Sequence, residues 1–110
     1  MKPTVILLGS KPGSALVLEK MLNAGWDVRC VVVPPKYDQS WMPSPSLEDV
    51  ATANKIPVKY NQYDVSLGKV DYVISYMYRN LVKSELIQRA SLAALNFHPA
   101  PLPEFGGFAF

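Results

Sequence analysis

The chain has 110 residues, 49% hydrophobic and 18% charged, with eleven Lys plus Arg against nine Asp plus Glu, one His and one Cys. That apolar content excludes disorder driven by low hydrophobicity and high net charge, and the length suits one domain with a real core and leaves no room for a second. A formal charge of +2 without basic runs lends no support to a nucleic-acid partner.

Met1-Lys2-Pro3-Thr4 leads into Val5-Ile6-Leu7-Leu8, shorter than the roughly 7–15 apolar residues of a signal-peptide core. Nothing approaches the roughly 20 apolar residues that span a bilayer. The expectation is a soluble cytoplasmic protein with no membrane partner. Cys30 has no second cysteine for an intrachain disulfide and no partner at zinc-ligand spacing, so no metal site is expected and the thiol reads as a buried apolar group.

Val5 to Leu8 reads as a strand covered on both faces, broken at Gly9-Ser10-Lys11-Pro12-Gly13-Ser14. Ser14, Val17, Leu18, Met21 and Leu22 then share one helical face, with Gly25 as the stop. Val28 to Val33 is a second buried strand, ended by Pro34-Pro35. Strand, helix and strand within about thirty residues make a crossover with parallel strands. The stretch Pro34 to Pro45 holds four prolines with Tyr37, Trp41 and Met42 and reads as an ordered loop whose aromatics cover the sheet.

Ser46 reads as a helix N-cap, with Asp49 suited to the helix N-terminus and Leu47, Val50 and Ala51 as its apolar face. Ile56-Pro57-Val58 fits an edge strand, where proline is tolerated. From Asp71 the alternation repeats: Tyr72 to Tyr76 as strand, a loop through Arg79 and Asn80, a helix near Lys83 to Arg89, and Leu92 to Phe97 as strand. The fold class is α/β, a Rossmann-like doubly wound and mostly parallel sheet.

Such sheets bind ligands beyond the carboxyl ends of their strands. The first turn fails the GxGxxG spacing because Lys11 occupies the second glycine position, and the second strand ends in Val33-Pro34-Pro35 where a ribose-binding carboxylate is required. The GxxxxGK[ST] phosphate loop fails too, with three residues between the glycines and Ser14 where Lys is needed. A plain nucleotide-binding domain is the third-ranked reading, because helix N-termini accept anions without a strict motif.

The stronger candidate is the tip of the last strand, Leu95-Asn96-Phe97-His98-Pro99. Period-two alternation sends Asn96 and His98 to one side and Leu95 and Phe97 to the other. Pro99, Pro101 and Pro103 fix the backbone beyond, and Gly106-Gly107 permits close approach. An amide donor beside a group that titrates near neutrality suits acyl transfer: Asn96 to stabilise an oxyanion, His98 to move the proton of an attacking amine. On spacing alone, a structural histidine closing the strand and an asparagine turning the chain account for the pair equally well.

The string NFHPAPLPEFGG, with VISYMYRNLV before it, resembles the formyltransferases that use 10-formyltetrahydrofolate, in which Asn-x-His precedes Leu-Pro and a glycine. The likeness covers the last forty residues specifically and the first seventy in general pattern. It implies that Asn96 is the oxyanion stabiliser, that His98 is the catalytic acid and base, and that Asn80, Leu81 and Val82 contact the folate, largely through backbone. Without it, Leu81 and Val82 read as helix-entry packing. Methionyl-tRNA, glycinamide ribonucleotide and amino-sugar formyltransferases share this core, and SYMYRNL is most like the sugar-directed enzymes. The implied acceptor is thus a small-molecule amine, on a nucleotide-linked sugar.

Two positions depart from the family pattern: Gly106 stands where Arg is common, and Phe110 where Pro is common. The family's third catalytic residue, an Asp that orients the histidine, lies farther along than Phe110, and Phe108-Ala109-Phe110 is an apolar terminus. The expectation is therefore that residues 1–110 are the amino-terminal part of a formyltransferase domain, inactive or slow alone, with an incomplete sheet whose open edge is exposed or pairs with another chain as a homo-oligomer. The rivals are methionyl-tRNA formylation and a non-catalytic folate-binding or interaction module.

Overall fold

In chain order the elements are β1 (Thr4–Gly9), α1 (Gly13–Asn23), β2 (Asp27–Val32), α2 (Leu47–Ala53), β3 (Val58–Lys59), a 3-10 turn (Gln62–Asp64), β4 (Val70–Tyr76), α3 (Ser84–Ile87) and β5 (Ala90–Phe97). The computed structural model describes residues 2–10, 13–35, 46–65, 68–78 and 81–97. The strands form one sheet in the order β3-β2-β1-β4-β5, every pair parallel. This is the expected doubly wound α/β arrangement, and it brings the carboxyl ends of all the strands to one edge.

The continuous apolar runs follow from burial on both faces. Val5 and Leu7 of β1 pack with Leu18 and Met21 of α1 and with Leu47, Val50 and Ala51 of α2. Ile6 and Leu8 face the other way, with Cys30, Val65, Val73, Tyr78, Val82 and Leu86. Each large side chain withdrawn from water in these layers contributes roughly 1.5–3 kcal/mol of transfer free energy.

Local signals place the helices. Gly25 takes φ +86°; its N–H donates to Leu22 O and that of Trp26 to Met21 O, both at 3.0 Å, the paired bonds that close a helix around a left-handed glycine. The buried face of α1 is Ser14, Ala15, Leu18 and Met21. Ala15 replaces Val17 and Leu22 as its buried flank, and those two are only half-buried. Ser46 caps α2 as expected and more completely: Ser46 Oγ accepts from Asp49 N at 3.2 Å while Asp49 Oδ2 accepts from Ser46 N at 2.9 Å, a reciprocal capping box.

Three boundaries differ from expectation. The third strand forms at Val58–Lys59 because β2 pairs with it there, and Pro57 supplies only its carbonyl, to Val31 N at 3.0 Å. The helix expected over Lys83 to Arg89 is confined to Ser84–Ile87, because Arg89 O is taken by Val70 N at 2.9 Å. The last strand accordingly starts at Ala90, opposite Val70. Most of the proline-rich loop, with Tyr37, Trp41 and Met42, lies outside the described residues. No helix among the described residues is long and apolar enough to cross a membrane.

Candidate functional site at the carboxyl edge of the sheet

The strand tips are in register across the sheet. Leu8, Ser75 and Asn96 form one row through β1, β4 and β5, and Gly9, Tyr76 and Phe97 form the next. Neighbours in a parallel row share a face, so Asn96 stands on the face of Ser75 and Phe97 on that of Tyr76. Ser75 is 1% exposed and Asn96 half-buried. The opposite projection of Asn96 and Phe97 is as expected, while His98 lies outside the described residues, as do Pro99 through Phe110.

On the other face, the Tyr76 and Phe97 rings stand 6.5 Å apart at 40°. The Tyr76 ring lies against the start of α1, where a Cβ on Gly13 would meet its Cε1 at 3.3 Å. Gly9 is required by the same packing, since a Cβ there would lie 2.5 Å from Ser14 Cβ and 2.7 Å from Ser14 Oγ. The glycine that ends β1 thus serves close helix-to-strand contact.

Beyond β4 the chain turns sharply. Met77 takes φ +53°, a strained conformation for a side chain without a local hydrogen-bonding group, and its N–H donates to Phe97 O at 2.6 Å. Tyr78 then enters the core beside Val82. Of the expected folate-contact residues, Val82 is 5% exposed and Leu81 77% exposed, and Asn80 lies outside the described residues. One of these positions anchors the segment and the next presents an apolar side chain to solvent. The reading of Val82 as packing is therefore met, whereas Leu81 is not core.

A residue that sequence reasoning did not single out holds this segment. Gln62 Nε2 donates to Leu81 O at 2.9 Å, and Lys83 N donates to Gln62 Oε1 at 2.6 Å. No sequence signal marks a side-chain to backbone pairing across nineteen and twenty-one positions.

Cavities open between described residues at two places away from the strand tips. One, of about 180 Å³, lies among Gln62, Tyr63, Lys83, Glu85, Leu86 and Arg89; the other, of about 260 Å³, among Val17, Lys20, Met21, Ala24 and Trp26. Asn96 lines neither. No cluster of three metal-ligating side chains occurs among the described residues. Burial pushes the Cys30 thiol up to about 11, against weaker opposing pulls from Lys59 and Arg89, so Cys30 is a protonated core group and not a nucleophile.

Known proteins resemble the chain along almost all of it. Methionyl-tRNA formyltransferase of Lactobacillus delbrueckii subsp. bulgaricus is 30% identical over 96% of the chain, and that of Lactobacillus gasseri 25% identical over 96%. The chain is similar to methionyl-tRNA formyltransferases. It spans 37% of the length of each of these relatives. No family model matches it. Both relatives are named for a tRNA substrate, which runs against the expectation that nucleic acid is no partner, and neither name points to an amino sugar.

Proposed function

We propose that this chain forms part of an enzyme that transfers a formyl group from 10-formyltetrahydrofolate to an amine. The similarity to methionyl-tRNA formyltransferases carries the reading, because an aligned span of 96% of the chain takes in Asn96, His98 and the segment 80–82. The geometry agrees: Asn96 sits at the strand tip beside buried Ser75, on the sheet edge where such folds bind ligands.

In this reading the acceptor amine attacks the formyl carbon, and the carbonyl oxygen becomes a tetrahedral oxyanion. The Asn96 amide donates a hydrogen bond to that oxygen, where fixed donors are worth most as charge develops. His98 takes a proton from the amine nitrogen, and collapse of the intermediate breaks the bond to folate N10, which receives a proton from His98. Asn80, Leu81 and Val82 contact the folate largely through their backbone, with the exposed Leu81 side chain offering apolar surface.

The names of the relatives favour methionyl-tRNA as acceptor. A second reading, an amine on a nucleotide-linked sugar, rests on the string SYMYRNL. The decisive assay supplies the full-length protein carrying this sequence with 10-formyltetrahydrofolate and each acceptor in turn. Asn96→Ala should lower kcat about 10²–10³-fold and His98→Ala about 10²–10⁴-fold. Unchanged transfer in either variant defeats its assigned role, and folate binding without transfer to either acceptor would leave a non-catalytic module. A tRNA acceptor further predicts a KM that climbs with salt as phosphate contacts are screened.

A further inference from the structure

The geometry points to Gln62 as a positioning residue for the folate donor: it clamps the backbone of the segment Leu81 to Lys83 so that Leu81 is presented in a fixed place. This rests on the assignment of residues 80–82 to the folate. Both atoms of the Gln62 amide are engaged, Nε2 on Leu81 O at 2.9 Å and Oε1 under Lys83 N at 2.6 Å, so the amide pairs with the chain as a neighbouring strand would. Two bonds from one planar group set orientation as well as distance.

The clamp is itself held. Asn61 caps the 3-10 turn, its Oδ1 accepting from Tyr63 N at 2.8 Å and Asp64 N at 3.1 Å, while its Nδ2 donates to Asp64 Oδ2 at 3.0 Å. Val65 roots the far end of the turn in the core. On the receiving side Val82 is buried between the two clamped groups, so the segment is pinned at Leu81 O, at the Val82 side chain and at Lys83 N. The Leu81 side chain stays exposed. Lys83 N-caps α3 without any side-chain cap bond, which leaves Gln62 as the fixed group at the entry to that helix.

A ligand that binds a pre-ordered segment does not have to order it, and ordering costs roughly 1–2 kcal/mol of backbone entropy per residue. Loss of the clamp should therefore appear in donor affinity and not in the chemical step. In the full-length protein carrying this sequence, Gln62→Ala is expected to raise the KM for 10-formyltetrahydrofolate roughly five- to thirtyfold, with kcat and the acceptor KM within twofold of wild type. Gln62→Asn, one methylene too short to reach both groups, should resemble it. Tyr63→Ala, on the same turn but outside the clamp, should leave the donor KM unchanged.

Gln62→Glu adds a readout that general destabilisation does not reproduce. Its carboxylate repels Leu81 O, while its protonated form restores one donor and one acceptor, so its donor KM relative to wild type should fall as pH is lowered. Tetrahydrofolate binding, measured by calorimetry, should weaken in parallel with KM, and the thermal midpoint of each variant shows that it is folded. A donor KM and tetrahydrofolate affinity unchanged in folded Gln62→Ala, while wild type transfers formyl, overturns the clamp alone. Wild type that neither transfers formyl nor binds tetrahydrofolate overturns the functional reading first and the clamp with it.

Discussion

At the scale of single residues, Cys30 offers the clearest consequence of burial. It lies in the core beside Ile6, Leu8 and Val32, and the protein interior raises its thiol from the ordinary 9.0 to about 11. Below pH 9 both folded and unfolded chains keep the proton. Between about 9 and 11 the unfolded chain sheds it and the folded chain does not, so stability is lost as pH rises through that window, by up to about 2–3 kcal/mol. Denaturant unfolding of wild type and Cys30→Ala at pH 8, 9, 10 and 11 isolates this thiol from other titrating groups. The stability difference between the two should shift against wild type with rising pH; parallel curves would falsify the assignment. Burial of a lone cysteine was readable from composition, since free cysteine behaves as a small hydrophobe. The left-handed Met77 was not, because nothing in a methionine side chain favours positive φ.

The elements show where reading along the chain succeeds. The α2 helix was legible because its instructions are local: Ser46 and Asp49 lie three positions apart, and Leu47, Val50 and Ala51 repeat at helical spacing. The same reciprocity makes a prediction. Ser46→Ala and Asp49→Ala should each cost about 1 kcal/mol of stability, and the double variant should cost less than the sum because each removes part of one shared motif. Chemical denaturation of the four proteins measures the coupling, and full additivity would mean that the two bonds act independently. The short α3 is not legible for a complementary reason, since its length is set by Val70 capturing the Arg89 carbonyl. The Gln62 clamp is illegible for a like reason: its partners are distant in sequence, and a single glutamine carries no pattern that marks such a pairing.

For the molecule as a whole, alternating strands and helices sufficed to anticipate a doubly wound parallel sheet, because connection rules leave few topologies open. The same topology makes the carboxyl edge the ligand-binding edge, and Asn96 stands there in register with Ser75. The acceptor was not legible, because acceptor choice depends on pocket shape and not on a local motif. The sheet as folded carries a further property: β5 pairs with β4 and with no other strand among the described residues, and Leu92 and Phe97 on it are 67% and 49% exposed. An eight-residue edge strand with apolar side chains in water is a template for strand addition. A polypeptide of these 110 residues should therefore self-associate with rising concentration. Leu92→Lys, which sets a charge on the edge at an exposed position, should raise the concentration at which association begins severalfold. Sedimentation velocity across a dilution series reads this directly, and a wild-type polypeptide that stays monomeric at every concentration would show that this strand edge is shielded from pairing.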